Sequence, residues 1–209
     1  MVFDFNTFVP DAIVLADGNY PTHPIPLKML AEAKMVVCCD GASNSYVAKG
    51  YSPTVIIGDG DSINEDVRRR LGDRIITSAD QETNDLSKAV TYLHAQGKKK
   101  IAILGATGKR ECHTLGNISL LLEYMHIGIE VCMFTDYCAI YPCRDDVHLA
   151  SYPGQQISII NHTAVDMKSP SLRYPIYDFK AWWQGTLNEC ISDECHIHAR
   201  GEYLVLQDY

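Results

Sequence analysis

KIAILGATGKRECHTLGNISLLLEYMH, residues Lys100 to His126, is the stretch that decides the fold. Lys100 to Leu104 is a short run of branched apolar residues without polar alternation, as expected of a strand covered on both faces. Gly105 and Gly108 then punctuate a loop. From His113 to His126, Leu115, Ile118, Leu122 and Met125 recur at intervals that place them on one helical stripe. Strand, glycine-rich loop and helix form the repeating unit of a layered α/β domain.

The same texture extends outward. AIVL (Ala12 to Leu15), MVVCC (Met35 to Cys39), VII (Val55 to Ile57), RIIT (Arg74 to Thr77) and EVCMF (Glu130 to Phe134) read as further buried strands. Asn84 to Gln96 reads as a helix with Leu86, Val90 and Leu93 on its apolar side. Such strands pair in parallel through right-handed crossovers, and ligands bind beyond their carboxyl ends. After about Asp136 the pattern changes. YCAIYPC, HLASYPGQQISIINHT and CHIHARGEYLVLQ are short strands broken by Pro-Gly and Arg-Gly turns. The expected organisation is an α/β domain with a mostly parallel sheet over residues 1–135, then an all-β domain over 136–209.

Composition excludes several classes. A net charge of −8 leaves no basic surface for nucleic acid or anionic membrane, while a few local cations could still hold a nucleotide. No apolar run approaches the roughly 18 to 20 residues that span a bilayer. The N-terminus carries Asp4, Asp11 and Asp17 without Lys or Arg, unlike a signal peptide, so a cytoplasmic protein is expected. Cys138/Cys143 and Cys190/Cys195, with His196 and His198 nearby, are zinc-ligand types, but both pairs are spaced CxxxxC. Free thiols in a reducing compartment are the expectation. Trp182 and Trp183 could pack in the sandwich or at an interface, with core packing the expectation.

Four polar clusters follow predicted strands. In IIGDGDS (Ile56 to Ser62), Asp59 and Asp61 could converge on a hard cation, or form a solvated acidic turn. In ADQETNDLSK (Ala79 to Lys88), Asp80, Gln81, Thr83, Asn84 and Asp85 exceed what capping one helix requires, and Lys88 lies within reach of Asp85. GATGKRECHTLGN (Gly105 to Asn117) offers a glycine-rich loop, a helix start, Lys109 and Arg110 to a phosphate, although it is not a Walker loop. CDGASN (Cys39 to Asn44) and ADGNYP (Ala16 to Pro21) are weaker versions of the same arrangement. Gathered along one sheet edge, these groups point to phosphoryl or nucleotidyl transfer.

The ordered motifs CDGASN, IIGDGDSI, DQETNDLSKAV and GATGKRECHTLGN resemble those of the bacterial thiamine pyrophosphokinases. The resemblance implies a Rossmann-like α/β domain, a C-terminal β-sandwich and a homodimer with thiamine bound between subunits. It implies transfer of pyrophosphate from ATP to thiamine, with Mg²⁺ held by Asp59, Asp61 and Asp85, and Arg110 beside them in catalysis. On the ATP side it implies Gly18, Asp40, Gly41 and Lys88, with Gly105, Thr107, Gly108, Arg110 and His113 from the later loop. On the thiamine side it implies Gln81, Thr83 and Asn84, and from QGTLNE also Thr186 and Asn188. Cys112 stands where the family has aspartate, Lys109 where it often has glycine, and Leu187 where it has serine. Two rivals share these features: an Asp-x-Asp glycosyltransferase, and a non-catalytic thiamine- or nucleotide-binding homologue with Cys112 marking a decayed site.

Overall fold

A computed structural model describes residues 2–78, 80 and 82–209. The chain divides into two compact units, Pro10–Asp136 and residues 2–9 together with Tyr137–Tyr209. The N-terminal residues, expected with the α/β part, group with the second unit. There β1 (Val2–Phe3) pairs in parallel with a strand at 147–150, and the Phe5 ring lies 5.8 Å from that of Tyr209.

In the first unit, six strands among the described residues form a parallel sheet. They are β2 (Ala12–Leu15), β3 (Val36–Cys39), β4 (Val55–Gly58), β5 (Ile75–Thr77), β6 (Lys100–Leu104) and β7 (Glu130–Phe134). Their order is β7-β6-β2-β3-β4-β5, every pair parallel. β2, β3 and β4 are buried along their whole length, which is why they read as unbroken apolar runs. β5 lies at the edge and leaves Ile76 exposed. The chain leaves β2 towards β3, β4 and β5 on one side, then returns to place β6 and β7 on the other. The sheet therefore has a switch point between β2 and β6, where a crevice opens at the carboxyl ends.

Helices α1 (Pro24–Glu32), α2 (Ala42–Ala48), α3 (Glu65–Leu71), α4 (Asp85–Ala95) and α5 (Glu111–His126) connect the strands. Apolar periodicity in the sequence marks α4 and α5. The other three span nine, seven and seven residues, too short for periodicity to stand out. α4 buries the expected Leu86, Val90 and Leu93. α5 is turned relative to expectation: it buries Asn117, Leu121, Leu122 and Tyr124, and leaves Leu115 exposed. A buried hydrogen bond from Asn117 Nδ2 to the Ala106 carbonyl, 2.9 Å, accompanies that rotation. No described helix is long and apolar enough to cross a membrane.

The second unit is a β-sandwich. β9 (Val147–Ala150), β11 (Val165–Lys168) and β13 (Glu194–Arg200) form one sheet with β1, in the order β1-β9-β13-β11. β8 (Cys138–Arg144), β10 (Gln156–Asn161), β12 (Asn188–Glu189) and β14 (Glu202–Asp208) pair antiparallel in the order β12-β10-β14-β8. Cys138, Cys143, Cys190 and Cys195 are all buried. Trp182 and Trp183 depart from expectation, with 57% and 74% of their surface exposed. The turn that carries them packs through Gly185, where a Cβ would strike the Ile159 carbonyl, so the indoles stay outside.

Candidate active site

A cavity of about 470 Å³ opens in the first unit, lined by the loops after β2, β3, β4 and β6 and by the starts of α4 and α5. Asp40, the residue after β3, is its most constrained group. The residue is 4% exposed, and its Oδ2 accepts the Ser62 N–H at 2.8 Å. Oδ1 has no partner. Only glycine at position 58 allows this placement, because a Cβ there would come within 2.6 Å of the Asp40 Cβ. Burial, opposed by the Ser62 N–H, and then the Asp59 and Asp85 carboxylates push the Asp40 carboxyl above its ordinary range.

Asp59 reaches the cavity from the turn after β4, where its Oδ1 accepts the Asp61 N–H at 3.0 Å. That bond is the Asx turn expected of an Asp-Gly-Asp sequence. Asp61 itself is exposed and is not among the lining residues. Asn84 caps α4 through the Ser87 N–H at 2.8 Å, which sets Asp85 at the first helical position and facing the cavity. Lys88 pairs with Asp85 at 3.1 Å, its side chain only 10% exposed. Thr83 lines the cavity and donates its hydroxyl to Asp80. Gln81 lies outside the described residues.

The loop after β6 contributes Thr107, Lys109 and Arg110, and α5 adds His113. Arg110 occupies the N-cap of α5 without a capping side-chain bond. That leaves N–H groups and the positive end of a sixteen-residue helix at the cavity. Gly18 and Gly41 line it as well, whereas Gly105 and Gly108 shape the loop without lining it. Cys112 is exposed and not among the lining residues, while its neighbours Arg110 and His113 are.

Thr186 and Asn188 lie in the second unit. The Thr186 hydroxyl donates to the Trp183 carbonyl at 2.8 Å. Asn188 is buried and exchanges two bonds with the backbone of Tyr174, which gives it a structural task of its own. The sequence reading missed Asp17, which pairs with Lys109 at 3.0 Å, and Ser62 and Asn117. Asn117 was within sight, since it ends the motif that begins at Gly105 and falls one helical turn after His113. Nothing in ADGNYP distinguished Asp17 from a turn former.

Among the described residues no three His, Cys, Asp or Glu side chains stand ready as a metal cage. Magnesium does not need one, because it is commonly held by one or two carboxylates together with substrate phosphates. Asp59 and Asp85, both lining the cavity and close enough to Asp40 to raise its pKa, are carboxylate donors of the kind that suits a hard cation.

A parallel sheet with a switch-point crevice, filled by carboxylates on one side and cations with a helix start on the other, defines the phosphate-handling class of α/β proteins. The family model described as thiamin pyrophosphokinase, catalytic domain, matches residues 27–133, and that described as the substrate-binding domain matches 139–206. The chain belongs to the thiamin pyrophosphokinase family. It is 34% identical to thiamine pyrophosphokinase 1 of Oryza sativa over 134 residues, 52% of this chain and 50% of that protein. It thus spans half the length of that relative. It is 28% identical to the thiamine pyrophosphokinase of Bacillus subtilis over 172 residues, 78% of this chain and 79% of that one. The solved yeast thiamin pyrophosphokinase matches the fold with a TM-score of 0.81 at 16% identity, covering 99% of this chain and 90% of that one.

Proposed function

We propose that the protein transfers the terminal pyrophosphate of ATP to the hydroxyethyl arm of thiamine, giving AMP and thiamine diphosphate. The observation that carries this reading is the single cavity where Asp40, Asp59 and Asp85 face Lys88, Lys109, Arg110 and the start of α5. Arg110 and the N–H groups beyond it stabilise charge on the transferred group, and Lys88 holds Asp85 in place. Thr83 and Asn84 sit on the thiamine side, and the open Oδ1 of Asp40 is the acceptor assigned to the attacking hydroxyl. The hydroxyl oxygen bonds to the β-phosphorus, the bond to the α-phosphate oxygen breaks, and AMP leaves in line.

Asp59 and Asp85, with Asp61 from the same turn, are the residues assigned to magnesium; when bound it would neutralise the triphosphate and fix its orientation. The family resemblance supports a homodimer with Thr186 and Asn188 near thiamine, and an ATP-dependent reaction fits the cytoplasm. Light scattering on a sizing column tests the dimer.

The deciding experiment measures AMP and thiamine diphosphate formed from ATP and thiamine, with magnesium and then with EDTA. Equal, magnesium-dependent amounts of both are expected. Asp59→Asn should abolish turnover with the fold intact. Product formation at the wild-type rate by that variant would overturn the assignment of Asp59, and absence of product from the wild type would overturn the reaction.

A further inference from the structure

Two of the cavity's cations already have carboxylate partners. Lys88 is held by Asp85, and Lys109 by Asp17 across 92 residues of sequence. Arg110 has no ion pair among the described residues. The Lys109–Asp17 pair lies at the switch point: Asp17 follows β2, and Lys109 stands in the loop after β6, the strand beside it. Both side chains are about half exposed, 51% and 45%, so the pair is weakly held and open to exchange.

Its two members differ in freedom. Asp17 is confined on its far side, where a Cβ at Gly41 would lie 2.7 Å from its Oδ2. Lys109 has a flexible four-carbon stem and three donors. It also stands beside Arg110 at the uncapped start of α5, where an anion is already favoured. Asp17 therefore acts as a resident anion on a cation that faces the phosphate side of the cavity.

We propose that Lys109 is a phosphate-binding residue of this site, and that a phosphoryl oxygen of the incoming nucleotide displaces the Asp17 carboxylate from it. The inference rests on the nucleotide reading above. A triphosphate carries more charge than one carboxylate and meets Arg110 and the α5 N–H groups at the same time, so it wins the exchange. Asp17 then opposes binding. Its isosteric neutral replacement should tighten the site, which a residue that merely braced Lys109 would not do.

Calorimetric titration of the full chain with Mg·ATP, and separately with tripolyphosphate, tests this. Lys109→Gln should weaken both ligands about fivefold and Asp17→Asn should tighten both about threefold, the scale of a half-exposed ion pair. In the Lys109→Gln background the gain from Asp17→Asn should disappear. Unchanged affinity in Lys109→Gln, weaker or unchanged binding in Asp17→Asn, or a gain that persists without Lys109 would each overturn the proposal. Wild-type protein that binds tripolyphosphate but forms no thiamine diphosphate would leave Lys109 its role and remove the reaction. Wild-type protein that binds neither ligand would remove both.

Discussion

Asparagine at position 40 would keep the shape of Asp40 and remove its charge. In the native site that charge is buried, with one oxygen bonded to the Ser62 N–H and the other without a partner, facing Asp59 and Asp85. Relief of an unpartnered buried oxygen contributes about 2 kcal/mol. Replacing the charge-assisted bond to Ser62 by a neutral one costs about 1 kcal/mol. The asparagine amide can also donate towards Asp59. The net gain is about 1 kcal/mol, a rise in Tm of roughly 2–4 °C for a chain of this size. A carboxyl whose folded pKa is raised contributes stability that is complete below its unfolded value and lost as pH rises through the folded one. The advantage of Asp40→Asn should therefore be full at pH 8 and vanish below the ordinary aspartate value of 3.8. Thermal melts in EDTA without nucleotide, from about pH 3 to pH 8, measure it, and turnover should fall more than about tenfold in the same variant. A variant no more stable than wild type at pH 8, or a gain independent of pH, would refute the argument that Asp40 is held against its own electrostatics for the sake of the site.

Three further outcomes are expected. Gly58→Ala places a Cβ 2.6 Å from that of Asp40, and overpacking of this kind costs about 1–3 kcal/mol; urea melts should record the loss, with product formation falling alongside. Asn117→Ala removes the buried bond to Ala106, costs about 1–3 kcal/mol, and should raise KM for ATP more than it lowers kcat, because the bond anchors the loop that carries Thr107 and Lys109. The His196 ring lies 3.5 Å from that of His148 and 4.1 Å from that of His198; burial first, then these neighbours, hold its pKa below 6.5. Its contribution is complete above pH 6.5 and lost as pH falls through the lower folded value, so His196→Gln should flatten the acid limb of unfolding curves between pH 7 and 5.

The strands were legible because each fully buried parallel strand must be apolar on both faces: Ala12–Leu15, Lys100–Leu104 and Glu130–Phe134 begin and end where the sequence places them. The polar clusters were legible because capping and turns do not require so many carboxylates in successive strand-end loops. The rotation of α5 was not legible. An apolar stripe counts Leu115 and Met125, but a single buried amide, Asn117, is directed at the Ala106 carbonyl in the loop after β6 and carries its helix face with it. The exposure of Trp182 and Trp183 was hidden for a similar reason, since composition assigns indoles to a core and cannot see that Gly185 makes the contact instead.

The sequence by itself determined the α/β and β parts, the order of the strands along the chain, and the chemistry carried by each loop, because these depend on local pattern and residue type. Tertiary structure alone decided which loops meet. The return of the chain from β5 to β6 brings Lys109 onto Asp17, and the absence of a side chain at Gly58 lets Asp40 sink until one of its oxygens has no partner. Both are contacts between residues far apart in the chain, fixed by strand order and close packing, and neither leaves a mark in the spacing of residues along the sequence.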